Sequence, residues 1–474
     1  MVPSFLFKND LPKRSTLLIE DATIITMDNQ RRILKNGYVA IDNGMIVSVS
    51  KDERKKNNFR AEYRINARGA IVIPGLIDTH IHLAQALLRG AADDLSLVEW
   101  LYKRVWPLQG NFTERDGLVS SSLCMLEMVK SGTTTFLESG LHKRYGNSGI
   151  AELLYKSGMR GAISKMVMDG KGYARASGIM HEGMIEDRDD CLKEARELHK
   201  RWDGKDSGRI KVWLAARSLG AVSPGLYREI SQVARELDTG ITMHLNEVRE
   251  DSEYSIHEYG MLPVMHMKEC GILGKRTVFA HMVWATDDEI SLLSNSGSSV
   301  SHCPSSNSKL ASGIARVPEM MEKGVNVSLG CDGAPCNNTY DMIREMKVAS
   351  LLQKARTLDP KALRAEKVLE MATVNGASAL GLQNEIGSIE EGKRADLAII
   401  RIENEHCIPS FNPISTLVYS CSGSDVETVI IDGRIIMLER EVMTLNEQRI
   451  IEEAMDASEK LIERAGINIK ANDA

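Results

Sequence analysis

His80 and His82 stand one residue apart at the end of an apolar run, Ile71-Val-Ile-Pro-Gly-Leu-Ile-Asp-Thr-His-Ile-His82. On an extended strand, residues i and i+2 point to the same face, so both imidazoles can converge on one ion. Alone, the pair reads equally well as two polar residues entering a loop. Three further apolar runs end in the same way. His244 lies in Gly240-Ile-Thr-Met-His-Leu and is followed by Asn246 and Glu247. His281 closes Thr277-Val-Phe-Ala-His, and Asp332 follows Val325-Asn-Val-Ser-Leu-Gly-Cys. Taken singly, His281 is an ordinary core histidine, Glu247 a solvated loop charge and Asp332 a turn residue before Gly333. Together, at the ends of apolar strands, they point to a metal centre.

Neutral imidazoles with one carboxylate suit a single Zn²⁺, with Fe²⁺ or Mn²⁺ less favoured. Zinc lowers the pKa of its bound water to roughly 7, which makes hydroxide available at neutral pH. In that setting Glu247 is placed to deliver a proton to a ring nitrogen or leaving group. His281 is placed to polarise the hydroxide or the tetrahedral centre, and Asp332 to touch the metal and accept the water's proton.

Such residues need a frame that gathers strand ends. Strand-like runs start near residues 71, 133, 161, 210, 240, 277, 297 and 325, with helical stretches between them. Thr113-x-x-Asp116 and Thr286-x-x-Glu289 are capping boxes, and Ser223-Pro224 is a helix start. Eight strands alternating with helices predict an α/β fold, a (β/α)8 TIM-like barrel, whose sites lie at the C-terminal strand ends. The competing doubly wound sheet lacks support, because no G-x-G-x-x-G follows a strand and no Walker loop occurs. Short strands at both ends of the chain suggest one small domain built from both termini. The expected division is 1–74 for its N-terminal part, 75–385 for the barrel, and 386–474 for its C-terminal part plus a final helix. Thr16–Glu20 and Thr23–Met27 read as separate strands, Lys51–Arg60 as a solvated loop, and Gly387–Ile400 as antiparallel strand. Leu445–Ala465 reads as an amphipathic helix.

Composition narrows the partners. The chain has 474 residues, 43% hydrophobic, with net charge −6 and pI ≈ 6.1. The absence of a basic stripe argues against a nucleic-acid polymer as partner. No apolar run nears the ~20 residues that span a bilayer, and residues 1–14 do not resemble a secretory signal. The eight cysteines are scattered without a C-x-x-C pair, which suggests reduced thiols and a cytoplasmic location. The H-x-E and P-C-x-x-C signature of the other zinc-deaminase fold is missing.

Pro74-Gly-Leu-Ile-Asp-Thr-His-Ile-His82 resembles the first-strand signature of the amidohydrolase superfamily. Leu88-Arg-Gly90, Trp106-Pro-Leu-Gln109, His302-Cys-Pro-Ser-Ser-Asn307 and Asp332-Gly-Ala-Pro-Cys336 are similar to its aminohydrolase branch. That branch holds methylthioadenosine/S-adenosylhomocysteine, guanine and cytosine deaminases, and triazine hydrolases such as atrazine chlorohydrolase. The likeness runs from about residue 16 to 460. It implies a mononuclear site with His80, His82, His244 and Asp332 as ligands, Glu247 as proton shuttle and His281 beside the hydroxide. It also implies a β-sandwich flanking the barrel, and a homodimer. The bridging lysine of dinuclear relatives is missing from the end of strand four, so one metal is expected.

Departures concern the substrate. Where adenosine-type deaminases place a ribose-binding Glu, this chain has Gln109, and Arg217 replaces a His after strand four. Gln85 with Gln109 is similar to the triazine-hydrolase pattern. Cys336 matches the melamine-deaminating relative and favours ammonia or an amine as leaving group. Arg217 is expected to meet an anionic substrate group or a carboxylate such as Glu138. Asn307, Ser308 and Lys309 are expected at the pocket rim, and Trp100 and Trp106 as stacking surfaces for a flat ring. The resulting expectation is a zinc-dependent deaminase of an amino-substituted nitrogen heterocycle. Triazine (chloro)hydrolysis and nucleoside deamination are the alternatives. A catalytically silent scaffold is disfavoured because every ligand is present.

Overall fold

A computed structural model describes residues 2–174, 176 and 178–468. Nine strands build one sheet from both termini: β1 (Leu17–Ile25), β2 (Ile33–Asp42), β3 (Met45–Ser50), β4 (Tyr63–Asn66), β5 (Ala70–Pro74), and later β14 (Leu397–Arg401), β15 (Val426–Ile431), β16 (Arg434–Leu438) and β17 (Glu441–Val442). Between them lie eight parallel barrel strands: β6 (Leu76–Ile81), β7 (Thr133–Glu138), β8 (Arg160–Val167), β9 (Ile210–Ala216), β10 (Ile241–Leu245), β11 (Thr277–His281), β12 (Ser299–His302) and β13 (Asn326–Leu329). Almost every residue of these eight is buried, because helices cover the outside while side chains fill the inside. The helices Glu114–Lys130 and Asp287–Ser296 begin with the expected capping boxes, and Ser223 caps Pro224–Glu236. Each such cap contributes about 1 kcal/mol.

The ladder runs continuously from β6 round to β13 and then stops. Among the described residues, β13 and β6 meet through one backbone bridge, in which the Asp332 N–H donates to the His80 carbonyl at 2.7 Å. Side chains complete the seam. Thr79 Oγ1 donates to the Leu329 carbonyl at 2.9 Å, and Asp78 accepts from the Cys331 N–H at 3.2 Å. Gly330 allows this approach, since a Cβ there would sit 2.7 Å from that of His80.

The apolar run 71–81 is two strands in two sheets. β5 pairs with β1 and β14, and β6 with β7. The switch occurs at Pro74-Gly75, where Gly75 N–H donates to the Asp396 carbonyl and a Cβ would collide with Thr134. The terminal sheet curls on itself. The Gly44 and Ile46 carbonyls accept from Ala395 and Gly392, and Ile19, Ile41, Val72, Leu397 and Ile430 share one core. Barrel and sandwich are joined by a buried ion pair, Arg160 Nε to Asp396 Oδ2 at 2.6 Å and Nη2 to Oδ1 at 3.2 Å.

Local details differ from the sequence reading. Thr16–Glu20 and Thr23–Met27 merge into the bulged strand β1, with Asp21 at φ 61°. The segment 51–60 contains a short helix, Glu53–Asn58, capped by Asp52. Of Gly387–Ile400 only the end is strand; the preceding loop turns back to receive the β2–β3 hairpin. The last helix, Glu447–Ala465, packs on Glu114–Lys130. Among the described residues no helix is long and apolar enough to cross a membrane, and all eight cysteines are free.

Candidate metal centre

Barrel geometry brings the ends of β6, β10, β11 and β13 to one point. His82 Nε2 lies 3.1 Å from His244 Nε2 and 3.5 Å from Asp332 Oδ1. His80 Nε2 is 3.5 Å from the same Oδ1. Potential ligand atoms of His80, His82 and Asp332 lie within 4.8 Å of one another, as do those of His80, His244 and His281. Three of the four rings are oriented from behind. Ser139 Oγ meets His80 Nδ1 at 2.6 Å, the Arg217 carbonyl accepts from His244 Nδ1 at 3.0 Å, and Asn307 Oδ1 accepts from His281 Nδ1 at 2.9 Å. Such outer bonds fix the tautomer and turn Nε2 inward as a lone pair. Asp332 is held likewise, accepting from Ser306 Oγ at 2.6 Å and from Gly333 N–H at 2.8 Å.

Electrostatics agree with ligation. Burial lowers the pKa of His80, His82, His244 and His281, so the rings are neutral. Burial alone would raise Asp332, but the facing imidazoles of His80, His281 and His82 hold its carboxyl well below the usual range. His80 Nε2 and His281 Nε2 are buried without a hydrogen-bond partner among the described residues. Buried lone pairs aimed at one point, beside an ionised carboxylate, fit a divalent cation and are costly without one.

Glu247 lies across the centre. Its Oε2 is 3.5 Å from His281 Nε2, and its buried Oε1 lacks a hydrogen-bond partner among the described residues. Burial, reinforced by the charge of Asp332 and opposed by Arg217, pushes its pKa well above that of an ordinary glutamate. Its backbone N–H is anchored on Asp251 Oδ2 at 2.8 Å.

Above these groups lies a cavity lined by Gln85, Trp100, Tyr173 and Arg217, with Leu97, Leu101 and Leu310. Trp100 sits on a helical stretch with a π-helical turn, Leu101–Val105, and its indole N–H donates to the Pro335 carbonyl at 3.4 Å. Four expected substrate contacts do not line the cavity. Trp106 and Gln109 are buried on Trp106–Gly110, where helix periodicity turns them away from the face that carries Trp100. Asn307 serves His281. Cys336 is buried, and its thiol donates to the Gly333 carbonyl at 3.1 Å. Glu138 is not the partner of Arg217; it accepts from the N–H groups of Leu83 and Gly140. The Arg217 Nη1 lies 3.2 Å from His244 Nδ1, and among the described residues no ion pair forms at its guanidinium.

Sequence reasoning missed Tyr173, Asp251, Ser139 and Ser306. Ser139 directly follows β7, so the rule that strand ends carry chemistry reaches it. Ser306 stands in the Cys303-Pro-Ser-Ser-Asn307 motif. Tyr173 lies in a long loop without periodicity and carries no such signal.

Residues 71–436 match the family model described as the amidohydrolase family. The 5'-deoxyadenosine deaminase of Methanosarcina mazei is 39% identical over 448 residues, covering 94% of this chain and 99% of that one. The 5-methylthioadenosine/S-adenosylhomocysteine deaminase of Syntrophomonas wolfei is 36% identical over 447 residues, covering 94% and 99%. A crystal structure of an adenosine deaminase from Xanthomonas campestris with bound zinc superposes with TM-score 0.88 at 30% identity, covering 95% of this chain and 100% of that one. The chain belongs to the amidohydrolase family, hydrolases of carbon–nitrogen bonds that use a divalent metal.

Proposed function

We propose that this metal-dependent deaminase of an amino-substituted nitrogen heterocycle loads one zinc ion at its hydrolytic centre, held by His80, His82, His244 and Asp332. The ion supplies a water acidic enough to lose a proton near neutral pH. The chain's residues do the rest. The Asp332 carboxylate accepts that proton. The neutral His281, fixed by Asn307, orients the attacking oxygen through Nε2. Glu247 donates its proton to the ring nitrogen beside the amine-bearing carbon, the amine takes up the proton held by Asp332 and leaves as ammonia, and the newly added hydroxyl returns a proton to Glu247. Trp100 and the three leucines exclude water and flank a flat ring. Gln85 and Arg217 offer donors to ring nitrogens or oxygens.

The observation that carries this reading is Glu247, a buried carboxyl whose free Oε1 and raised pKa make it a proton donor beside an ion site. The names of the 36–39% identical relatives favour adenosine-type nucleosides as the first compounds to assay. The test is ammonia release from a panel of 5'-deoxyadenosine, methylthioadenosine, guanine, a pterin and an aminotriazine. Glu247→Gln is expected to lower kcat by about 10²–10⁴-fold with metal retained. Undiminished turnover in that variant would refute the assignment.

A further inference from the structure

Away from the barrel mouth, a second set of metal-type donors meets where the chain leaves β14 and returns to β15. His406 Nε2 lies 3.0 Å from both carboxylate oxygens of Asp425. Cys407 Sγ lies 3.4 Å from Cys421 Sγ. Donor atoms of His406, Cys407 and Asp425 are all within 4.8 Å of one another. Zinc–ligand bonds of about 2.0–2.3 Å at tetrahedral angles put neighbouring donors about 3.3–3.8 Å apart. The His406–Asp425 and Cys407–Cys421 separations come within a few tenths of an ångström of that spacing, while Cys421 stands outside the three-residue cluster and joins it by rotation of its side chain.

The surroundings suit an ion. Cys407, Cys421 and Asp425 are buried, while the His406 side chain is 43% exposed, which leaves one side open to solvent. Asp425 is oriented by Asn404 Nδ2 at 2.7 Å and Ser422 N–H at 2.9 Å, and the Cys407 N–H donates to the Asn404 carbonyl at 2.9 Å. These outer bonds fix ligand direction as they do around known metal sites. The segment 402–412 has no regular structure and leaves Ile408 and Phe411 exposed, so little apolar burial holds it down.

We propose that His406, Cys407 and Asp425 form a second, structural zinc site, separate from the hydrolytic centre, which Cys421 completes by turning its thiol in from beside Cys407, and that this site pins segment 402–412 to the start of β15. Two sulfur donors and an imidazole select zinc over hard ions such as magnesium or calcium. As the two Zn–S bonds form, the two thiol S–H bonds break and their protons pass to solvent. No electron is transferred.

The test is cobalt substitution read by absorbance. Thiolate ligands give Co²⁺ a charge-transfer band in the near ultraviolet, and the hydrolytic centre offers only nitrogen and oxygen donors. Cobalt-loaded wild type is expected to show the band, His82→Ala to keep it, and a Cys407→Ser, Cys421→Ser double variant to lose it. By elemental analysis that double variant holds one zinc per chain fewer than wild type. Absence of the band in wild type, its persistence in the double variant or its loss in His82→Ala would overturn the proposal. So would a Cys407–Cys421 disulfide found by peptide mapping of the metal-loaded protein.

Discussion

The imidazole planes of His82 and His244 lie within 9° of parallel, and their Nε2 atoms stand 3.1 Å apart. Because the Arg217 carbonyl takes the proton on His244 Nδ1, the facing Nε2 carries a lone pair. His82→Ala is therefore expected to abolish turnover and to lower the metal content by one ion per chain in elemental analysis. Chelated wild type is expected to melt at a lower temperature and recover on adding zinc. The ion contributes about 4 kcal/mol when present at a thousandfold excess over Kd. Activity that survives complete chelation would refute a metal-dependent centre.

Arg217 presents a buried guanidinium to the cavity, while His244 leans on its backbone carbonyl, which a side-chain replacement leaves in place. Arg217→Met is accordingly expected to retain metal and lose kcat/KM about 10- to 100-fold, matching the ~1.5–3 kcal/mol of a hydrogen bond to a charged group. Steady-state kinetics with elemental analysis checks both halves. Metal loss in this variant would assign Arg217 to ring positioning instead.

The Arg160–Asp396 pair bridges barrel and sandwich, and Asp396 also accepts the Asp432 N–H at 2.8 Å. Removing one partner leaves a buried charge alone, so Asp396→Ala is expected to cost about 3–5 kcal/mol in denaturant unfolding. Adding Arg160→Met to that variant is expected to recover part of the loss. A cost below 1 kcal/mol would show that the junction is held mainly by apolar packing.

Glu345 is buried, accepts from Asn337 Nδ2 at 2.7 Å, and has its pKa raised by burial from 4.5 to about 7. The folded chain thus holds this proton more tightly than the unfolded chain. The resulting stabilisation is complete below pH 4.5 and is lost as pH rises through 7, to a total of ~3 kcal/mol. Glu345→Gln cannot lose a proton, so wild type is expected to fall relative to it between pH 5 and 8. Parallel melting curves at the two pH values would refute the shift.

The barrel was legible because its strands are buried on both faces and read as short apolar runs. The convergence of His80, His82, His244, His281 and Asp332 was legible because polar residues sit where those runs end. Tertiary choices were not. Nothing local says that Pro74-Gly75 passes β5 and β6 into different sheets. Trp100 and Trp106 have the same chemistry, and only their phase on a helix interrupted by a π-turn gives one the cavity and the other the core. Ser139, Asn307 and Ser306 act on His80, His281 and Asp332 across gaps of 59, 26 and 26 residues, so their roles appear only once the strands are side by side. The Glu138 expectation failed for a related reason. The backbone N–H groups of Gly140, two residues on, and of Leu83, just past the neighbouring strand β6, reach that carboxylate before any guanidinium does.

The seam between β6 and β13 gives the barrel the character of a belt closed by its buckle. One backbone bridge and a few side-chain bonds do the fastening, and the bridge pairs Ile81 with Asp332 through the hydrogen bond from the Asp332 N–H to the His80 carbonyl. With the proposed ligands, closure of the hoop and occupancy of the centre would be one property. Under the proposed ligand set, an ion drawing the His80 and Asp332 side chains together would tighten the circle, and any force that parts β6 from β13 would pull its donors away from each other.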